Sequence, residues 1–408
     1  MSMNDTPRAS RLHIAFFGKR NVGKSSVINA LTGQNAAIVS EVLGTTADPV
    51  FKSMEILPIG PCVIIDTAGF DDEGELGSLR VEKTLEVLSK TDLAVLITDN
   101  ADGLDKTERD FLNNIRGKKI PVICVVNKSD MNGVAAEQLA ALAEACEADA
   151  CAVSAVNGEG IDKFKQLLIK NANTDDSRIT PLDGLVRAGD TVLLITPIDS
   201  SAPKGRMILP QQQVIRDVLD NNALCVIVRE TEIDAALAGL TAKPTLAVTD
   251  SQAFATAAKA LPEDIPLTSF SILFARMKGD LDVLTEGVRA VERLKDGDKI
   301  LIAEACTHHT QCDDIGRVKI PNMLKSRTGK NLIFEHTAGH GYKKNLTDYA
   351  LIVHCGACML NRRDILSRIG AAKEAGVPIV NYGVLLAYMT GILPRALAPL
   401  NSERTKIL

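Results

Sequence analysis

Two groups of residues in this chain have the types and spacing that chemistry requires. Near the C-terminal end, a C-x-H motif at residues 306–308 is followed by an H-C-x-x-C motif at residues 354–358. Thiolates and imidazoles are the side chains that bind zinc and iron–sulfur clusters, so these motifs predict a metal site. Near the other end, the segment GKRNVGKS at residues 18–25 has the spacing of a phosphate-binding loop.

The glycine-rich segment has the surroundings that phosphate binding needs. An apolar run precedes it and the helical pattern VINAL follows it, which gives the order strand, loop, helix. Gly18 and Gly23 allow backbone N–H groups to face phosphate, and the helix N-terminus adds a favourable dipole. We expect Lys24 to reach the β- and γ-phosphates and Ser25 to bind Mg²⁺. The predicted nucleotide-binding residues of this segment are Gly18, Asn21, Val22, Gly23, Lys24, Ser25 and Ser26.

Three further motifs follow in the order that a GTPase requires. The first, DTAG, ends an apolar strand, so that Asp66 is expected in the Mg²⁺ shell and the Gly69 amide at the γ-phosphate. The second, NKSD, follows another buried strand, and the Asp130 carboxylate can accept two guanine hydrogens that adenine does not offer. The third, SA at residues 154–155, follows a short apolar segment and is expected to supply a backbone amide to the base. These motifs predict GTP binding through Asp66, Gly69, Asn127, Lys128, Asp130, Ser154 and Ala155.

A polar segment, GTTAD at residues 44–48, lies where a switch loop would contact the γ-phosphate. Thr46 is the candidate for the second hydroxyl ligand of Mg²⁺. With Lys24 and Gly69, it completes the set of residues predicted to act in GTP hydrolysis. This segment is therefore predicted to respond to the nucleotide state.

The motif set resembles the bacterial GTPases related to Era, Der and the tRNA-modifying GTPase. Their switch usually reads GTTRD, whereas this chain has Ala47 in place of the arginine. The resemblance implies that Asn21 helps to bind K⁺ beside the phosphates; a simple role in forming the loop is the alternative. Phe70 stands where Ras-like enzymes place a water-orienting glutamine. Hydrolysis is therefore expected to be slow without K⁺, dimerisation or a partner.

The alternation of apolar runs and helical patterns predicts an α/β chain of three domains. Residues 1–173 are expected to form the P-loop GTPase domain, which a polar run separates from the rest. Residues 174–265 predict a small parallel α/β layer that serves in dimerisation, although docking of another protein fits its composition equally. Residues 266–408 form the predicted α/β domain that carries the soft ligands.

The soft ligands directly follow apolar strands. Cys306 comes after KILIAEA and His354 after YALIV, so parallel strands would bring both to one sheet edge. Three thiolates would leave one corner of a [4Fe–4S] cluster exchangeable, and His308, His354 or, more weakly, Glu304 could fill it. A Cys₃His zinc site uses the same side chains and stays open as an alternative. The predicted cluster cysteines are Cys306, Cys355 and Cys358.

Joined to the GTPase motifs, these ligands resemble the [FeFe]-hydrogenase maturation GTPases of the HydF family. The stretches TPIDSSAPKGRMILPQQQ, EACTHH and HCGACM strengthen the resemblance, which covers essentially the full chain. It implies a homodimeric scaffold with a [4Fe–4S] cluster that receives a transient diiron precursor from radical-SAM maturases and delivers it to apo-[FeFe]-hydrogenase. It assigns the three cysteines to the cluster, places His308 and His354 near its open site, and implies that GTP hydrolysis regulates partner exchange.

Composition narrows the remaining function classes. The net charge of −5, with basic residues spread along the chain, argues against broad nucleic-acid binding. The N-terminus does not resemble a signal peptide, and no apolar run reaches about 18 residues, so a cytoplasmic protein is expected. An RNA-associated GTPase of the Era or Der type and a zinc-stabilised regulatory GTPase are the alternatives. Five further cysteines, Cys62, Cys124, Cys146, Cys151 and Cys225, are expected to be core thiols.

Overall fold

Three mostly parallel sheets, each covered by helices, organise this computed structural model. The structure describes residues 8–33, 49–71, 75–131, 133–172, 179–198, 207–305, 314–339 and 345–401. The chain divides into two compact units, residues 1–177 and residues 178–408. The predicted α/β class is confirmed.

The first unit contains one six-stranded sheet of order β2-β3-β1-β4-β5-β6, in which only β2 is antiparallel to its neighbour. Its central strands read as continuous apolar runs, such as LAVLIT and VICVV, because helices cover both faces of a parallel sheet. The elements are β1 (Leu12–Gly18), α1 (Lys24–Thr32), β2 (Val50–Ile56), β3 (Gly60–Asp66), α2 (Glu75–Leu88), β4 (Leu93–Thr98), α3 (Lys106–Gly117), β5 (Val122–Val126), α4 (Ala136–Ala145), β6 (Asp149–Ala152) and α5 (Ile161–Ala172).

Apolar cores lie on both faces of this sheet. Phe16 and Phe17 are neighbours on β1 and point to opposite faces, as successive strand residues do. Phe16 contacts Phe164 of α5 edge to face, with 6.1 Å between ring centroids. Phe17 contacts Phe111 of α3 at 5.1 Å. The central strand β1 is thereby fixed from both sides, and it positions the loop that follows it.

The second unit begins with a four-stranded parallel sheet of order β10-β9-β7-β8. Strand β8 lies at one edge, where Leu224 is 64% exposed and Ile227 is 43% exposed. The elements are β7 (Thr191–Ile195), α6 (Leu209–Asp220), β8 (Leu224–Val228), α7 (Ile233–Gly239), β9 (Leu246–Thr249), α8 (Phe254–Ala260), β10 (Leu267–Ser269), α9 (Phe270–Lys278) and α10 (Leu281–Gly287).

A second four-stranded sheet completes this unit, with order β12-β11-β13-β14 and every pair parallel. All its strands therefore end at one edge, as the strand pattern predicted. A π-helical turn (Ile315–Lys319) precedes α11. The elements are β11 (Lys299–Glu304), α11 (Ile320–Thr328), β12 (Ile333–Ala338), β13 (Leu351–His354), α12 (Arg362–Glu374), β14 (Ile379–Asn381), α13 (Tyr382–Met389) and α14 (Leu393–Leu397).

The two sheets of the second unit share one apolar core, to which β7, α9 and β11 all contribute. Strand β10 pairs with β9 and so belongs to the first of these sheets. It lies just beyond the boundary predicted at residue 265, because a strand of three residues carries too little pattern to be assigned to one sheet from sequence. Helix α9 follows β10 directly and is buried along most of its length.

Most of the isolated cysteines lie in the apolar cores of the first unit. Cys62, Cys124, Cys146 and Cys151 are buried free thiols, as expected, and Cys225 is half-buried on β8. Throughout the described ranges, no helix combines the length and the apolar character needed to cross a membrane.

Candidate functional site

The phosphate-binding loop is tied to the base-binding motifs by one buried side chain, Asn127. Its Nδ2 donates to the Val22 carbonyl at 2.8 Å. Its Oδ1 accepts from the Ala155 amide at 3.2 Å. Gly23 lies in the left-handed region with φ 89, and a Cβ there would sit 2.2 Å from Asn127 Nδ2. Glycine is therefore required both by conformation and by close approach.

Lys24, the first residue of α1, has its ammonium group among the loop carbonyls. The side chain is only 8% exposed. Its Nζ donates to the Gly18 carbonyl at 2.9 Å and to the Lys19 carbonyl at 2.7 Å. Asn21, with φ 60, is exposed at the tip of the loop, and Ser26 is half-buried in α1. The predicted loop residues are thus gathered at the start of α1.

Ser25 and Asp66 come together as the predicted Mg²⁺ ligands would. Ser25 Oγ donates to Asp66 Oδ2 at 2.6 Å. Burial raises the pKa of Asp66, against the lowering effects of the Ser25 hydrogen bond and of Lys24 and Lys52. Asp66 Oδ1 is buried, and no atom of the described residues forms a hydrogen bond with it. A buried carboxylate oxygen without a donor fits a cation site. Thr46, the third predicted ligand, lies outside the described residues.

The segment after Asp66 is held against the phosphate-binding loop. The Arg20 amide donates to Asp71 Oδ1 at 2.8 Å. A Cβ on Gly69 would sit 2.6 Å from Arg20 Cγ and 2.7 Å from Asp71 Oδ1, so no side chain fits there. The Phe70 ring stacks on Phe111, with centroids 4.3 Å apart and planes within 9°. Because that ring is buried and apolar, it cannot orient a water as a glutamine would.

The base-binding residues line the ends of β5 and β6. Asp130 is exposed, as a carboxylate that receives guanine should be before binding. Lys128 has φ 63, and its Nζ pairs with Asp99 at 2.7 Å. Ser154 is fully buried, and its amide donates to the Glu159 carbonyl at 2.9 Å. Asn127 and Ser154 therefore lie at the ends of neighbouring strands, and Asn127 links this part of the unit to the phosphate-binding loop.

The H-C-x-x-C motif begins at the carboxyl end of β13, in the middle of the third sheet, where β11 and β13 are neighbours. Ala303 pairs with His354 in the strand register. Cys355 Sγ accepts hydrogen bonds from the Ala305 amide at 3.1 Å and the Ala357 amide at 3.4 Å. Ala357 has φ 51, a left-handed conformation that turns the backbone around the sulfur.

The charge states of the Cys355 and Cys358 thiols depend on their surroundings. Burial raises the pKa of Cys355 to about 11, although the Ala305 and Ala357 amides act to lower it. Burial also raises the pKa of Cys358, against the lowering effect of Lys278. Backbone N–H groups directed at sulfur favour a thiolate, and a bound metal ion supplies the charge that keeps it ionised. These surroundings therefore fit a metal thiolate.

The predicted cluster cannot be assembled completely from the described residues. Cys306 and His308 lie outside them. Within the described ranges, no group of three or more His, Cys, Asp or Glu side chains is arranged to hold a metal ion.

Both ring nitrogens of His354 have partners. Nε2 lies 3.1 Å from Arg368 Nη1, and a guanidinium can only donate, so Nε2 accepts. Nδ1 therefore carries the hydrogen and donates to the Cys355 carbonyl at 2.9 Å. Burial and the Arg368 charge lower the pKa of His354 to about 4. The imidazole is thus neutral and held in one tautomer.

Arg368 on α12 joins two of the loops at this edge. It is 4% exposed, and its Nε donates to Asp364 Oδ1 at 3.0 Å. Its Nη2 donates to the carbonyl of Gly339, the residue after β12, at 3.1 Å. Sequence patterns gave no indication of this role, because an arginine within a helical pattern is normally exposed. The i, i+4 spacing from Asp364 was the available signal, but exposed pairs have the same spacing.

Glu304, the weaker candidate ligand, accepts a hydrogen bond from the Tyr382 hydroxyl at 3.2 Å. A Cβ on Gly316 would sit 2.1 Å from that hydroxyl, so the contact needs the glycine. His336 Nδ1 is buried and has no hydrogen-bond partner among the described residues, and burial together with Arg317 lowers the pKa of this histidine. Glu304 of β11, His336 of β12 and Tyr382 of α13 therefore add polar side chains near the cysteine motif.

Comparison with protein families identifies the segments that carry these sites. Residues 13–128 match the family model of the 50S ribosome-binding GTPase. Residues 182–279 match the hydrogen maturase F dimerization domain, and residues 282–399 match its tetramerization domain. The first unit thus contains a GTPase domain, the class of domain that hydrolyses GTP. The two maturase models together cover more than half of the sequence. The chain belongs to the hydrogen maturase F (HydF) family.

Individual relatives are GTPases that match less than half of this chain. The tRNA modification GTPase MnmE of Nitrosomonas europaea is 34% identical over 162 residues, which cover 40% of this chain and 35% of that protein. MnmE of Chromobacterium violaceum is 34% identical over 187 residues, which cover 44% of this chain and 40% of that protein. The chain therefore spans well under half the length of these relatives.

Solved structures give the same class of neighbour at low overall similarity. Aquifex aeolicus Era bound to GDP·AlF₄⁻ has a TM-score of 0.36 and 20% identity, and it covers 53% of this chain and 92% of that chain. The probable GTP-binding protein engB has a TM-score of 0.33 and 25% identity, and it covers 39% of this chain and 98% of that chain. The family assignment accordingly depends on the family models.

Proposed function

We propose that the protein is a GTP-hydrolysing scaffold of [FeFe]-hydrogenase maturation. It binds a [4Fe–4S] cluster, receives a diiron precursor from radical-SAM maturases and delivers it to apo-hydrogenase. The observation that carries this proposal is the pair of backbone N–H groups directed at Cys355 Sγ, one of them from the residue before Cys306. The presence of both maturase domains in the same chain supports it.

The proposed cluster ligands are Cys306, Cys355 and Cys358, which leave one iron open to exchange. Each ring nitrogen of His354 already has a partner. We therefore propose that this imidazole supports the cysteine loop and is not a cluster ligand. Tyr382 occupies one oxygen of Glu304. We therefore assign the fourth position to His308 or to a ligand from outside the chain. An exchangeable position suits a carrier that must accept and release cargo.

The proposed nucleotide chemistry uses the residues gathered at the start of α1. Lys24 holds the β- and γ-phosphates, and Ser25, Asp66 and Thr46 hold Mg²⁺, which neutralises phosphate charge during hydrolysis. Asn21 is the proposed K⁺ ligand. Because the Phe70 ring is packed on Phe111, hydrolysis by this domain alone is expected to be slow. The GTPase acts as a regulatory switch for partner exchange.

The proposed assembly follows from the maturase domains. Dimerization and tetramerization domains indicate self-association, and we propose a homodimer formed through residues 174–265. The predicted division into a GTPase domain (1–173), this dimerisation domain and a cluster-binding domain (266–408) stays part of the proposal, as does a cytoplasmic location. Association through the third domain would add a second level of assembly.

Metal analysis tests the proposal most directly. Full-length protein purified without oxygen should contain about four irons per chain with matching sulfide, and the reduced form should give a cluster EPR signal. Cys355→Ser should lose most of the iron, whereas the matched control Cys225→Ser should keep it. Stoichiometric zinc after iron-replete anaerobic expression would contradict the proposal, and strong salt-dependent RNA binding would favour the RNA-associated class instead.

A further inference from the structure

Lys278, the last residue of α9, is a buried cation that holds the cysteine loop. It is only 4% exposed. Its Nζ donates to the Leu360 carbonyl at 2.8 Å and to the Cys358 carbonyl at 3.2 Å. These carbonyls belong to the turn that leads from the cysteine motif into α12. The ammonium group thus fixes the backbone of a proposed cluster ligand.

The charge of Lys278 is not balanced within the described part of the chain. Apart from the two carbonyls, its other contact is the Phe274 ring, whose centroid lies 5.5 Å from Nζ, and no described carboxylate pairs with it. Burial lowers the pKa of this lysine to about 8, and the neighbouring Cys358 acts to raise it. A buried charge is costly unless an opposite charge compensates it. An anionic group at Cys358 would supply that compensation.

The end of α9 is fixed against α12, which begins directly after the cysteine loop. Arg362 Nε donates to the Met277 carbonyl at 3.2 Å. A Cβ on Gly279 would sit 2.9 Å from the Ala275 carbonyl oxygen and 3.3 Å from Ile369 Cδ1, so the helix end approaches α12 closely. Helix α9 lies within the range of the dimerization domain model. A side chain of that segment therefore reaches the cysteine loop directly.

We infer that Lys278 is a positioning residue of the cluster site, which anchors the Cys358 turn and places a positive charge beside the anionic cluster. This inference rests on the cluster proposed at Cys306, Cys355 and Cys358. Nearby charge and hydrogen bonding set the reduction potential of iron–sulfur clusters. A cation favours the more negative, reduced state, so its removal lowers the potential. Loss of the anchor also weakens the hold on the cluster, since supporting residues contribute about 10- to 100-fold to metal affinity.

Three substitutions at Lys278 distinguish the effect of its hydrogen bonds to the cysteine loop from the effect of its positive charge. Lys278→Met removes both, Lys278→Gln keeps a hydrogen-bond donor without the charge, and Lys278→Arg keeps both. Lys259→Met removes an exposed lysine from α8 and is the matched control. Each full-length protein is reconstituted without oxygen. Iron and sulfide content, the midpoint potential, the EPR spectrum of the reduced cluster and the rate of cluster loss to a chelator are then measured.

We expect Lys278→Met to show a more negative midpoint potential, an altered EPR spectrum and cluster loss at least about tenfold faster than wild type. Lys278→Gln should keep only the shift in potential, and Lys278→Arg and the control should behave like wild type. Unchanged potential and spectrum in Lys278→Met would overturn the inference. It would also be overturned if the metal-free variant were unfolded by circular dichroism, since Lys278 would then be structural. Wild-type protein without a cluster would instead reject the proposed function.

Discussion

The nucleotide site and the cysteine edge are built at the same place on their sheets, yet they are supported differently. Both lie where parallel strands end. In the nucleotide site, motif residues support one another, as in the contacts of Asn127 with the Val22 carbonyl and of Ser25 with Asp66. At the cysteine edge, the supporting side chains are Lys278 and Arg368, which belong to helices outside any motif. A local motif thus specifies the first site almost alone, whereas the second depends on the packing of distant helices.

The largest expected effect tests whether the two sites operate independently. Lys24→Ala removes the ammonium group that is predicted to meet the phosphates, so GTP hydrolysis should fall by about 10³-fold, as for other lost transition-state donors. The cluster absorbance of the same protein should remain, because Lys24 contacts the carbonyls of its own loop. Turnover and absorbance are measured together, with Lys163→Ala on the exposed side of α5 as the control. Loss of the cluster in Lys24→Ala would mean that the two sites are coupled.

The next prediction concerns how strongly Arg368 stabilises the sheet edge that carries the cysteine motif. Arg368→Met removes the buried ion pair with Asp364, and it removes the donors to His354 and the Gly339 carbonyl. Breaking a buried pair in this way typically lowers the free energy of unfolding by about 3–5 kcal/mol. Denaturant unfolding of the metal-free protein measures the change.

Arg216→Met is the matched control for this substitution. Arg216 and Asp220 have the same i, i+4 spacing on α6, but their side chains are 70% and 53% exposed. Water already solvates both charges, so the control should unfold almost as wild type does. Equal effects of the two substitutions would show that burial does not distinguish the pairs, and the contrast between the two sites would be lost.

The same contrast explains what the sequence could predict. The P-loop order and the parallel sheets followed from apolar runs and glycine spacing, because those patterns are local. The role of Arg368 did not follow, since its partners Asp364, His354 and Gly339 meet only after folding. Strand β10 was likewise not assigned to the middle sheet, because a pairing of three residues leaves little periodic signal. Local chemistry was therefore predictable, and the buried network around it was not.

A smaller effect tests how closely the motifs of the nucleotide site support each other. Gly23→Ala and Gly33→Ala both place a side chain at positive φ, with φ 89 and φ 64, at a cost of roughly 1–2 kcal/mol each. Among the described residues, the first Cβ meets Asn127 Nδ2, whereas a Cβ on Gly33 meets no atom within 4 Å. GTP affinity should therefore fall roughly tenfold or more in Gly23→Ala alone, for the loss of one or two hydrogen bonds. Equal affinities, measured by calorimetry, would mean that Asn127 does not link the motifs.

The smallest expected effect concerns an exposed ion pair in the GTPase unit, far less critical than the buried cations of the second unit. Hydrogen bonds from Lys170 and Asn171 lower the pKa of Asp149. A carboxyl whose pKa is lowered by folding stabilises the protein above its unfolded pKa of about 3.9, and this contribution is lost as the pH falls through the lowered value. Lys170→Met should raise the Asp149 pKa toward its ordinary value and cost below about 1 kcal/mol at neutral pH, because the Lys170 side chain is 67% exposed. NMR titration of Asp149 measures the first change and denaturant unfolding the second. A loss as large as that in Arg368→Met would show that exposed pairs support the first unit as strongly as buried cations support the second.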